Sequence, residues 1–148
     1  FNYFLDIYGE GELEFLLKKK INDLGLSKCI KINKYKKNWH HKFSSTNSCL
    51  IHPSIYEGQS NVVIEAANYK IPLIISNIPS HSELFNNNSC FLFDPYKIDS
   101  LLNQINRYLS QNNIQRKKKI FAAKKIIKKN FLQKKIMKKY KIIFKNLS

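Results

Sequence analysis

Ile51-His-Pro-Ser-Ile-Tyr-Glu57-Gly-Gln-Ser60-Asn-Val-Val-Ile-Glu65-Ala-Ala67 is the stretch on which the reading of the chain turns. The apolar run Cys49-Leu-Ile51 stops at Pro53-Ser54, and a short polar loop with one glycine, Gly58, follows. Val62, Val63, Ala66 and Ala67 then recur at helical spacing. The pattern predicts strand, loop, helix. Glu57 falls at the C-terminal end of the strand and Glu65 about one turn into the helix, with seven residues between them.

Working outward, strands and helices alternate. Tyr3–Tyr8 reads as a strand, and Gly9-Glu-Gly11 turns into a helix over Glu12–Leu24 with Leu13, Leu16, Leu17 and Ile21 on one face. Gly25 is placed to close that helix. Cys29–Ile32 is a short strand, Asn33–Lys37 a polar turn, and Asn38–Ser45 a second short helix. Ser48–His52 is the strand before the central loop, and Asn61–Tyr69 the helix after it. Ile71–Ser76 reads as a strand, Pro79–Phe85 as a helical segment, Asn86–Ser89 as a loop and Cys90–Phe93 as a strand. Lys97–Leu109 is an amphipathic helix. Two basic helices, Ile114–Lys129 and Phe131–Phe144, end the chain, so the basic segment runs over about residues 112–146. This order predicts an α/β, Rossmann-like, doubly wound parallel sheet in one domain spanning residues 1–148.

Such sheets bind ligands beyond the C-terminal ends of their strands. The N-terminus of the helix after the central loop would turn backbone N–H groups near Ser60 and Asn61 into that crevice, a ready anion site. Gly58 removes a Cβ where a ligand comes close to the backbone. A carboxylate accepts hydrogen bonds from vicinal hydroxyls. An acid on each side of a phosphate cradle therefore matches a sugar nucleotide.

Pro53-Ser54, Glu57-Gly58 and Glu65-Ala66, followed by Ile71-Pro-Leu-Ile-Ile-Ser76 and Glu83, resemble the donor-binding signature of the family 4 (group 1) retaining glycosyltransferases of the GT-B fold. Ile7-Tyr-Gly-Glu-Gly-Glu12, Leu24-Gly-Leu26 to Asn33, and Phe91-Leu-Phe-Asp-Pro95 resemble its flanking segments, so the likeness covers essentially the whole chain. It implies the C-terminal, donor-binding half of such an enzyme. Glu57 would be the catalytic acid-bearing residue, in contact with the donor sugar. Gly58, Gln59, Ser60 and Asn61 would hold the diphosphate and sugar, and Glu65 the ribose. Glu83 would add a donor contact, and Tyr35, in the polar turn, would lie by the nucleobase. The resemblance implies a UDP-, GDP- or similar sugar as substrate, no cofactor and no metal. It also implies a glycan or lipid-linked acceptor held by an N-terminal domain, and a role in cell-surface polysaccharide or lipopolysaccharide synthesis.

The sequence departs from that pattern in places. Lys70 stands where the family usually has a glycine that ends the helix in the left-handed conformation, and Ser80-His81 replaces a Gly-Gly pair. The family's Arg and Lys that neutralise the leaving diphosphate would lie upstream of Phe1. The chain starts on Phe1 within an apolar strand, which reads as an excised piece of a longer protein, inactive alone.

The 148 residues, 43% of them apolar, suffice for a core. No apolar run reaches the ~20 residues that cross a bilayer, and no signal peptide is present, so the expected location is the cytoplasm. Cys29, Cys49 and Cys90 sit in apolar runs with wide spacing, which suits reduced, packed thiols. His40-His41 are adjacent, a poor metal pair. His52 fits either a structural role or a donor to the loop, and His81 is placed near the phosphates. Net charge is +16, and no acid follows Asp99. Fourteen basic residues from Arg116 to Lys145 suit a solvated face, or attraction to an anionic surface, either nucleic acid or a membrane on its cytoplasmic side. The rival to the enzyme is a non-catalytic Rossmann-like module whose basic helices hold nucleic acid or membrane.

Overall fold

A computed structural model of the chain describes residues 3–43 and 47–131. Its contacts divide the chain into two compact units, Phe1–Trp39 and His40–Ser148.

The first unit is a strand–helix–strand element. β1 (Leu5–Tyr8) and β2 (Ile30–Asn33) pair in parallel, Leu5 opposite Ile30 and Tyr8 opposite Asn33, with α1 (Glu14–Asp23) as the crossover. Gly25 closes α1 with φ 66°. Its N–H donates to the Asn22 carbonyl at 2.8 Å, and Leu26 N–H donates to the Ile21 carbonyl at 2.9 Å. This is the paired closure that a left-handed residue permits. The apolar face expected of α1 is formed but not covered: Leu13, Phe15, Leu16 and Leu17 are exposed, and no residue of α1 is buried. Two strands and one helix are too few to enclose a core.

A short 3-10 turn, Trp39–Lys42, stands where a helix over Asn38–Ser45 is expected from the sequence, residues 44 and 45 lying outside the described ones. Asn38 adopts φ 61°, a left-handed residue that does not begin an α-helix. β3 (Leu50–His52), β4 (Leu73–Ser76) and β5 (Phe91–Phe93) then form a parallel sheet in that order. Ile51 lies opposite Ile74, and Ile74 opposite Phe91. All four residues of β4 are buried, as a continuous apolar run between two strands demands. α2 (Asn61–Asn68) links β3 to β4, and α3 (Pro79–Ser82) stands between β4 and β5. α4 (Ile98–Ser110) packs on β5, and α5 (Asn113–Phe131) packs on α2. Ile74, Phe91, Phe93 and Tyr108 centre one core cluster, with Phe91 and Tyr108 edge to face at 5.9 Å. The expected helix from Phe131 to Phe144 lies outside the described residues except for Phe131, which ends α5.

Cys90 is buried and Cys49 half-buried, and all three cysteines are free. Burial pushes the Cys49 thiol up to about 11 and the Cys90 thiol up to about 12, so both are protonated, packed groups at neutral pH.

α2 ends in the same closure as α1, but on a lysine. Lys70 has φ 64°, its N–H donates to the Ala67 carbonyl at 3.3 Å, and Ile71 N–H donates to Ala66 at 2.9 Å. The departure from glycine therefore leaves the turn intact and places a Cβ in a conformation that costs about 1 kcal/mol. Lys70→Gly is expected to change stability by under about 0.5 kcal/mol, because the strain relieved is offset by the greater freedom of glycine in the unfolded chain and by the loss of the Lys70 ammonium over the Phe121 ring. Urea unfolding of both chains measures it.

Candidate functional site

The loop between β3 and α2 is built on three polar residues that the strand end and the helix start bring together. His52 is the last residue of β3 and Ser60 is the N-cap of α2. His52 Nε2 lies 3.2 Å from Glu57 Oε1 and 3.1 Å from Ser60 Oγ. A carboxylate only accepts, so the imidazole N–H donates to Glu57. Glu57 is thereby held at the C-terminal mouth of the sheet while its side chain stays 31% exposed. Ser60 is buried and makes no side-chain cap; its Oγ shares the same His52 N–H as a second acceptor. No side chain therefore caps the first backbone N–H groups of α2, the groups a bound anion satisfies.

Gly58 and Gln59 form the exposed crown of this loop, and Asn61 is the exposed first residue of α2. A Cβ added at Gly58 would meet no protein atom within 4 Å. Its φ also lies outside the left-handed region, so the fold itself does not require glycine there. Glu65 follows one turn along α2. Its carboxylate is 47% exposed and 4.0 Å from Nδ1 of His40, which is buried and stacked on Tyr69 at 3.6 Å. Glu83 is exposed at the end of α3. Tyr35 is an exposed residue of the first unit.

His81 differs from its expected place beside the phosphates. The ring is 1% exposed, and its Nδ1–H donates to the Ser76 carbonyl at 2.8 Å, tying α3 to the end of β4. Ser76 Oγ in turn donates to the Ser54 carbonyl at 2.5 Å, joining β4 to the loop. The His52 and His81 rings are 5.5 Å apart. Sequence reasoning gave His52 no decided role, and its partnership with Glu57 emerges only in three dimensions. Among the described residues, no group of three or more His, Cys, Asp or Glu is placed to hold a metal ion. No described helix is long and apolar enough to cross a membrane.

Burial holds the His52 imidazole below its ordinary value; His81 adds to this, and the hydrogen bond to Glu57 opposes it. His52 is therefore neutral at pH 7. The unfolded chain takes up this proton near pH 6.5 and the folded chain resists it, so the unfolded state binds more protons and stability falls as pH drops. Thermal unfolding is expected to show a Tm that declines as pH is lowered from about 7 to about 5. His52→Gln is expected to flatten that decline.

The model for the family "Glycosyl transferases group 1" matches residues 2–126. Over 105 residues the chain is 33% identical to the O-antigen biosynthesis glycosyltransferase WclY of Escherichia coli, covering 71% of this chain and 28% of that protein. The fold is similar to that of Anabaena HepE, whose crystal structure holds UDP: TM-score 0.84 at 18% identity, with 97% of this chain and 41% of that one covered. It is also similar to the C-terminal domain of a group 1 glycosyl transferase, LpcC of Francisella tularensis. There the TM-score is 0.68 at 16% identity, with 82% and 64% covered. The parallel sheets and their helices match the C-terminal domains of GT-B glycosyltransferases. The chain spans 28% of the length of WclY. With a family model matched over most of its residues, this chain belongs to the group 1 glycosyltransferases.

Proposed function

We propose that this chain supplies the donor site of an enzyme that moves a sugar from a nucleoside diphosphate sugar to an acceptor with retention at the anomeric carbon. The observation that carries the reading is Glu57, held by His52 beside the uncapped start of α2. Glu57 faces the donor sugar, the α2 amides near Ser60 and Asn61 take the diphosphate, and Glu65 takes the ribose hydroxyls. Gly58 and Gln59 close over the sugar, and Glu83 adds a donor contact.

In the reaction, the anomeric C–O bond to the diphosphate breaks as the acceptor oxygen bonds to the same face. The acceptor proton leaves with the diphosphate. Positive charge builds on the sugar, where the Glu57 carboxylate stabilises it, and negative charge builds on the leaving phosphate, where the α2 amides do. No step needs a metal. The likeness to an O-antigen glycosyltransferase supports a cell-surface glycan as product, made from the cytoplasmic side. Acceptor choice is assigned to the longer protein, and this chain alone is expected to bind donor without turning it over.

Calorimetric titration of the full-length protein with UDP, GDP and ADP sugars tests the reading. Binding of one of them with affinity shared by its free nucleotide supports it, and binding of none defeats it. Gly58→Ala refines the test. The substitution is expected to leave thermal unfolding unchanged, because the added methyl meets nothing, and to weaken donor binding.

A further inference from the structure

Phe121, Lys124, Lys125 and Lys128 fall at i, i+3, i+4 and i+7 on α5, one face of the helix. The adjoining face, Ile120, Ala123 and Ile127, is buried. Together with Lys70 these four residues line an open concavity of about 360 Å³. Of the other cations of the helix, Lys117, Lys118 and Lys129 are exposed and lie outside the hollow, and two are engaged elsewhere. Arg116 donates to the Tyr108 and Leu109 carbonyls and lies over the Tyr108 ring, and Lys119 donates to the Asn87 and Cys90 carbonyls. Lys124, Lys125 and Lys128 have no such partner among the described residues, and no acid follows Asp99 in the sequence. Four ammonium groups thus share one hollow with no carboxylate supplied to it.

Lys70 is the telling member. It occupies a left-handed position that glycine fills without strain, as Gly25 does at the end of α1. A strained residue that keeps a charge in a hollow points to a ligand for that charge. Phe121 lies under the Lys70 ammonium at 5.4 Å yet is 57% exposed, and Ile114, seven residues earlier on the same face, is 68% exposed. Apolar side chains ringed by lysines on an outward helix face suit an interface that is anionic at its surface and oily beneath it.

We propose that Lys70 and the outer face of α5 form a docking site for the phosphate headgroups of an anionic lipid surface, with Phe121 entering the interface. The site lies apart from the donor loop, and the proposal does not require the enzyme reading to hold.

Co-sedimentation of the full chain with phosphatidylcholine vesicles, with and without phosphatidylglycerol, tests it. Binding is expected only to the phosphatidylglycerol vesicles. Replacing Lys70, Lys124, Lys125 and Lys128 by glutamine is expected to weaken it about fivefold per lysine, roughly 600-fold together. A control that removes the same charge from Lys28, Lys31, Lys36 and Lys37 in the first unit is expected to lose far less, and equal losses would overturn the proposal. Phe121→Ser keeps every charge and is expected to weaken binding roughly tenfold; unchanged binding contradicts the site. Lys70→Gly separates docking from folding, since it is expected to leave stability nearly unchanged and still lower vesicle binding about fivefold. Displacement by inorganic phosphate beyond that of chloride at matched ionic strength would assign the hollow to a soluble anion. Preference for an RNA duplex over the vesicles at the same salt would assign it to nucleic acid. Either result overturns the lipid assignment.

Discussion

Glu57→Gln is expected to lower the turnover of the full-length protein about 100- to 1,000-fold, with the fold intact. Glutamine keeps the size of the side chain and an oxygen that can accept from His52 Nε2, so the loop should hold its shape. What disappears is the negative charge beside the anomeric carbon, where positive charge develops in the transition state. The carboxylate is 31% exposed and its pair with His52 is partly solvated, so its loss should cost under about 1 kcal/mol of stability. Turnover at saturating donor, beside thermal unfolding, checks this. Unchanged turnover would remove Glu57 from the chemistry.

Glu65→Ala is expected to weaken donor binding about 10- to 100-fold, the range that loss of hydrogen bonds to a charged group spans. The side chain stands on α2 with its carboxylate half in solvent and 4.0 Å from His40 Nδ1. Truncation should leave the helix standing, since alanine is the best helix former and the buried face of α2 is Val63, Ala66 and Ala67. A large fall in affinity with little change in unfolding temperature is the expected signature. A matched fall in both would mean that Glu65 holds the fold rather than the ligand.

How much of this could be read from residues alone differs from element to element. The fully buried strand β4 announced itself as an apolar run between a proline and a polar turn, and α2 and α4 by their periodicity. Gly25 announced the end of α1, and the matching closure at Lys70 could be anticipated only as a tolerated strain. The α1 stripe was legible as a face, but spacing does not say what covers a face, and nothing in the first unit buries it. Trp39–Lys42 tightened into a 3-10 turn because Asn38 goes left-handed, a choice that Asn makes for local reasons with no periodic trace.

At the site, Glu57, Ser60 and Glu65 were legible as a loop-and-helix pattern. The imidazole that holds two of them was not, because no spacing rule ties the end of a strand to a carboxylate five residues on. His81 misled for a similar reason. Its position in the sequence put it near the phosphates, yet the free carbonyl at Ser76 drew the ring inward. The face of α5 was visible as a charge run, and only its apposition to Lys70 made it a hollow.

The division of labour across the loop is open to one direct measurement: calorimetric titration of the free nucleoside diphosphate into the wild type, Glu57→Gln and Glu65→Ala. With the sugar absent, Glu57 should be idle, so Glu57→Gln is predicted to bind as the wild type does while Glu65→Ala loses affinity. Retained affinity in Glu65→Ala, or an equal loss in Glu57→Gln, would contradict the assignment of the two acids to opposite ends of one donor.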